Sequence, residues 1–193
     1  ENLTSRSQAA NMGASDILEL FSIFGQSSSS SLEQTRIIAQ FPINEIKADR
    51  DGGIIPASGS VDYILNFCNT PHGQSTPENF TIIVHPLAQS WSEGNGLDME
   101  SYLDLEASNW ISASEGVSWH STGSDFVTSS YVRQVDVPLE YTQTLESGVE
   151  NISINITSWV EEWIKDLESS SVAATGSVTF LQEPANGQSI IIY

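Results

Sequence analysis

The sequence predicts an all-β domain, a two-sheet antiparallel jelly-roll sandwich carrying one short amphipathic helix and one long ordered loop. Three observations lead there. The apolar residues come in short runs of strand length, separated by Ser, Gly, Asn and Pro. Glu150 to Ile156 alternates with a period of two, the mark of a half-buried strand. The chain has 193 residues, with five Trp, five Tyr and seven Phe, which suits one well-filled core that needs no covalent staple. It is read as a single domain over residues 1–193.

The strands follow in order. Ile17 to Phe24 is the first, and Ser27 to Ser31 is a serine loop behind it. Thr35 to Phe41 is the second, stopped by Pro42, and Asp49 to Gly53 reads as a turn cluster. Ser60 to Cys68 and Phe80 to Leu87 come next. In Glu150 to Ile156, Ile152, Ile154 and Ile156 point into the core, while Asn151, Ser153 and Asn155 point to water. Ser177 to Leu181 and Ser189 to Tyr193 complete the set, and strands at this spacing with little helix describe a sandwich. The single cysteine, Cys68, rules out an internal disulfide. It ends a strand-like run without basic neighbours, so it is expected to be a buried, inert thiol.

The helix is predicted at residues 158–168. Trp159, Val160, Trp163, Ile164 and Leu167 fall on one stripe, and Ser158 with Glu161 has the spacing of a capping box. Trp159 and Trp163 are therefore assigned to the core with Ile152, Ile154 and Ile156.

Charge excludes several functions. Six basic residues face 25 acidic ones, a net charge of −19. Such a surface repels phosphate backbones and anionic lipid, so nucleic acid and membranes are not expected partners. No apolar run reaches the roughly 18 residues that span a bilayer. No nucleophile elbow, P-loop, dinucleotide fingerprint or zinc-type Cys/His spacing is present, and no catalytic residue is assigned. The histidines, His72, His85 and His120, are scattered, and His85 before Pro86 reads as a rim residue at a strand end.

Residues 90–125 show no sustained period yet contain Trp91, Trp110 and Trp119, so the segment is read as a long loop docked on one face. Asp98, Glu100 and Asp104 lie close together there, near Glu93 and Asn95. Calcium takes six to eight hard oxygens, often from one such loop, which makes these three its candidate ligands and calcium the one candidate cofactor. The competing reading is a solvated acidic loop. Tyr102, Trp110 and Trp119 are a candidate stacking platform for a sugar, against the plainer reading that they anchor the loop.

The order of several short elements resembles a known family. Asn11-Met12-Gly13 precedes the first strand, and Arg36-Ile37-Ile38-Ala39-Gln40-Phe41 follows it. Trp91-Ser92-Glu93-Gly94 comes next, then Ile152 to Val160 with Trp163, then a last strand ending in Tyr193. This order resembles the DNRLRE family of extracellular jelly-roll domains. The family's Asn-Tyr-Gly-like turn after the helix is replaced here by Ala173-Ala174-Thr175-Gly176. The stretch from Gly96 to Trp110 is similar to a version found in structural proteins of tailed, mostly marine bacteriophages. The resemblance implies a virion structural protein without enzymatic activity, a capsid-decorating or tail- or fibre-associated module. Its partners would be other virion proteins, with self-association at a symmetry axis, and its place the virion surface or the extracellular space. The alternative is a carbohydrate-binding or adhesive module of a secreted or cell-surface protein, with a glycan as partner.

Overall fold

A computed structural model describes residues 8–24, 32–71, 78–97, 104, 106–124, 137–169, 177–182 and 188–192. Its regular structure is mostly strand, every strand pair is antiparallel, and two helices are present among the described residues. The strands are β1 (Leu18–Phe24), β2 (Leu32–Gln34), β3 (Ile37–Gln40), β4 (Ile64–Phe67), β5 (Phe80–Pro86), β6 (Ser112–Ser114), β7 (Val117–Ser118), β8 (Tyr141–Leu145), β9 (Ile152–Asn155), β10 (Ser177–Gln182) and β11 (Gln188–Ile192). The helices are α1 (Ile43–Asp51) and α2 (Thr157–Ser169).

One sheet runs β3-β10-β5-β8 and another β11-β1-β2, with the pairs β4-β9 and β6-β7 beside them. The central strand β5 buries Phe80, Ile82 and Val84 on one face, and β9 buries Ile152 and Ile154 while exposing Ser153 and Asn155, with Ile156 buried just beyond it. A single side chain joins two of these units. The Gln143 amide on β8 donates to the Asn151 carbonyl at 2.9 Å and accepts from the Ser153 N–H at 2.8 Å, standing in for a backbone bridge between β8 and β9.

Helix α2 is the hub of the core. Trp159 and Trp163 are fully buried, with ring centroids 6.4 Å apart. Trp159 meets Tyr141 edge-on at 4.5 Å and donates its indole N–H to the Pro138 carbonyl at 2.7 Å, while Trp163 stacks on Phe41 at 6.4 Å. The helix starts one residue before the predicted position, and its capping differs. Asn155 Oδ1 accepts the Thr157 N–H at 3.0 Å, and Thr157 Oγ1 accepts the Tyr63 N–H at 2.8 Å. Ser158 shares a 2.6 Å hydrogen bond with the Tyr141 hydroxyl, and the Glu161 carboxylate goes to Arg50, so the expected capping box does not form. Long-range partners outcompete the local bonds that the spacing suggests.

Two further expectations are corrected. Asp49, Arg50 and Asp51 are the last turn of α1, and Gly52 and Gly53 end it, the latter at φ +74°. Little in α1 is apolar: Ile43 alone is fully buried, so the segment shows no stripe to read. Its hold on the fold is polar. Arg50 makes two bonds to the Glu161 carboxylate, at 2.9 and 2.6 Å, and one to the Tyr63 hydroxyl at 2.9 Å. Cys68 is exposed, because β4 buries Leu65 and turns Ile64 and Asn66 outward, and Cys68 follows their phase.

Two predictions follow from this packing. Trp163→Ala should cost about 3–5 kcal/mol of stability, the usual range for a large core aromatic, and a melt within a degree or two of the parent would contradict the packing. Burial raises the pKa of Glu161, but the hydrogen bonds and charge of Arg50, with a bond from Ser58, outweigh it and hold the carboxyl below the usual glutamate range. A depressed folded-state value stabilises the fold above the unfolded glutamate pKa, and that contribution is lost as pH falls through the folded value. Glu161→Gln should therefore be less stable than the parent near neutral pH. Urea titrations should show the gap closing as pH falls below about 4.

Candidate functional site

The described residues of the long segment from Ser90 onward are tied by side chains that bond backbone. The first tie is Asn11, ahead of β1. Asn11 Oδ1 accepts the Gly13 N–H at 2.6 Å and the Gly96 N–H at 3.4 Å, and Asn11 Nδ2 donates to the Ser108 carbonyl at 2.5 Å. The Ala14 N–H reaches the Gly96 carbonyl at 3.1 Å. Gly13 and Gly94 lie so close that a Cβ on Gly13 would strike the Gly94 carbonyl, and one on Gly94 would strike the Asn11 amide. The Asn-x-Gly and Trp-x-Glu-Gly elements, some eighty residues apart in sequence, thus form one junction.

Asp104 is the next tie. It is buried, and both carboxylate oxygens are used: Oδ2 accepts the Asn95 N–H at 2.9 Å and Oδ1 the Glu106 N–H at 3.2 Å. Its own N–H donates to the Ala9 carbonyl at 3.0 Å. Asn109 then organises the β6–β7 hairpin. Its Oδ1 accepts the N–H groups of Ile111 and Ser112, both at 2.8 Å, and its Nδ2 donates to the Asp104 carbonyl at 3.1 Å.

The aromatics anchor the same segment. Trp119 is buried, and its indole N–H donates to the Asn109 carbonyl at 2.8 Å, so it offers no face for a sugar to stack on. Trp110 is half-buried. The Arg36 guanidinium sits 5.1 Å from its ring centre and donates to the Gly123 carbonyl at 2.6 Å. Gly123, at φ +89°, packs so tightly on the indole that a Cβ there would clash with the ring. Burial pushes the Arg36 pKa down from the ordinary arginine value. His85 lies in the same field. It is buried rather than on a rim, with Nδ1 3.2 Å from the Leu139 carbonyl. Burial lowers its pKa, the Leu139 and Glu140 interactions oppose that, and the Arg36 charge adds to the lowering. His85 is therefore neutral near pH 7 and suited to donate to Leu139.

Of the proposed calcium ligands, Asp98 and Glu100 lie outside the described residues, as does Tyr102 of the proposed platform. Asp104 is described, and its oxygens serve two backbone donors. Among the described residues no three His, Cys, Asp or Glu side chains are grouped to hold a metal ion. An open groove of about 620 Å³ lies between Leu18, Ile38, Phe41, Trp91 and Leu167, with Asn44 and Glu93 among its polar residues. The roles of Asn11, Asn109 and Arg36 were not read from sequence. Asn11 and Gly13 stand out in sequence as an element ahead of the first strand, but nothing local signals that Arg36 crosses to Trp110.

Asp104→Asn should cost about 1–3 kcal/mol, because an amide can accept at only one of its two ends and leaves one of the two backbone donors without its partner. Melts of the wild type in chelator and in millimolar calcium should coincide. A calcium-dependent gain, about 2.7 kcal/mol at a hundred times Kd, that Asp98→Asn abolishes would place an ion in this loop instead.

No family model, curated protein or solved structure matches the chain.

Proposed function

We propose that this chain is a non-enzymatic structural domain of a virion, a capsid-decorating or tail- or fibre-associated module that binds other virion proteins. In this reading its strands close as a jelly roll at the particle surface. The observation that carries it is how the polar groups of the long segment are used. Asn11, Asp104, Asn109 and Arg36 all hold backbone, so the described residues of the segment present a fixed surface of the kind a docking module needs. The charge fits the same role. Lys47, Arg50 and Lys165 pair with Asp51, Glu161 and Glu162, and Arg36 is turned onto Gly123. The described basic residues are thus engaged within the chain, and the surplus of acid remains to keep copies apart and soluble. The resemblance of the element order to the DNRLRE family, and of Gly96 to Trp110 to phage structural proteins, supports the same reading. The burial of Trp119 removes one of the aromatics on which the carbohydrate-binding alternative drew.

The test is purification of particles from the native source, with the chain followed by mass spectrometry and labelled electron microscopy. The chain should sediment with particles in a fixed ratio to the capsid or tail proteins. Recovery only as a free protein, with none on particles, would contradict the proposal.

A further inference from the structure

Strand β4 is an edge without the usual guards. The Ile156 N–H donates to the Tyr63 carbonyl at 2.9 Å, and the register sets Leu65 against Ile154 and Phe67 against Ile152. In an antiparallel pair, alternate residues turn their backbone groups toward the neighbouring strand. Tyr63, Leu65 and Phe67 therefore face β9, and the backbone groups of Ile64 and Asn66 face away. Among the described residues, the Ile64 N–H and both backbone groups of Asn66 have no hydrogen-bond partner; the Ile64 carbonyl meets only the Asn66 side-chain amide, at 3.4 Å.

Natural sheets protect such edges with charges, proline or bulges. Here the sequence from Tyr63 to Pro77 contains no Asp, Glu, Lys or Arg, in a chain of net charge −19. Proline is absent from β4 itself, and its pairing with β9 runs without a bulge. The side chains along the edge are exposed: Ile64, 46% accessible, then Asn66 and Cys68.

We propose that β4 is an assembly edge that pairs, antiparallel and about a two-fold axis, with β4 of a second copy of this chain. The axis passes by Asn66, so Asn66 faces the partner's Asn66 and Ile64 lies opposite the partner's Cys68. Charge selects this occupant. Two chains of −19 repel over most of their surfaces, and they meet here without like charges opposite one another. The pairing is also self-complementary, as a two-fold interface requires: an amide pair at the centre, flanked by two apolar pairs. It would extend the layer β8-β9-β4 across both copies. The inference rests on reading the chain as an assembling module. The particle experiment reads that module's attachment; the solution experiment below reads the edge.

Sedimentation of the full chain from micromolar to near-millimolar concentration tests it. Wild type should show a concentration-dependent monomer–dimer equilibrium. Asn66→Pro removes an outward N–H and leaves the β4–β9 bonds intact, so it should weaken the dimer by about tenfold with the melt of the monomer little changed. Should that variant fail to fold, Ile64→Lys places a charge on the same edge and should weaken the dimer likewise. Ile64→Cys should form a disulfide-linked dimer with the partner's Cys68 on mild oxidation, since residues in a hydrogen-bonded antiparallel pair sit about 5.5 Å apart at Cα, within disulfide range. The same variant carrying Cys68→Ser should not form that linkage. A wild type that stays monomeric throughout, or edge variants that dimerise as tightly as wild type, would overturn the proposal.

Discussion

Desolvating two indoles on one face of a thirteen-residue helix is the constraint around which the rest of this protein is arranged. Trp159 and Trp163 are too large for one strand to cover, so parts from across the chain converge on them. Phe41 comes from the end of β3, Tyr141 from the start of β8, and Pro138 supplies a carbonyl. The polar face of the same helix then fixes the remaining neighbours. Thr157 holds the chain just before β4, and Glu161 holds α1 through Arg50. Burial of this pair has a desolvation cost, which the bonds and charge of Arg50 outweigh at Glu161. The pair's effect is to set one position for α1, a helix whose own apolar surface is too small to set it.

The second organising feature is the spending of polar side chains on backbone. A long segment whose described residues form only the short β6–β7 ladder must satisfy its other N–H and C=O groups some other way. Asn11, Asp104 and Asn109 do this at the junction near Gly13 and Gly94, and Gln143 does it between β8 and β9. Glycine at positions 13 and 94 lets the two backbones approach, and Gly123 lets the chain pass over the Trp110 ring. A carboxylate that looks like a ligand in sequence is here an acceptor for two backbone donors. That use points toward a fixed surface for docking, which is the basis of the function proposed above.

Elements whose stability is local were legible in the sequence, and elements held from a distance were not. β9 shows its period of two in Ile152 and Ile154, continued by Ile156 beyond its end, and α2 shows its stripe in Trp159, Trp163 and Ile164. α1 is mostly polar, and its chief tie lies 111 residues away at Glu161, so its sequence reads as a turn. β8, Tyr-Thr-Gln-Thr-Leu, buries only Leu145 fully and escapes notice for the same reason. Cys68 was misjudged by phase: hydrophobic character suggested burial, but alternation along β4 puts it outside with Ile64 and Asn66. In the candidate site, the aromatic content of the long segment suggested docking, and among its described residues Trp119 is buried and Trp110 lies under Arg36. The partners could not be read, because no local pattern encodes a hydrogen bond between Asn11 and Ser108.

The central claim is that the described parts of the long segment, residues 90–97, 104 and 106–124, are as firmly held as the sheets. Native-state hydrogen exchange measures this residue by residue. The amides of Asn95, Glu106 and Trp110, bonded to Asp104 or to the Gln8 carbonyl, should exchange with opening free energies close to those of Ile82 and Val84 in the middle of β5. Exchange at those three amides near the rate of an unstructured chain, with β5 still protected, would contradict the account.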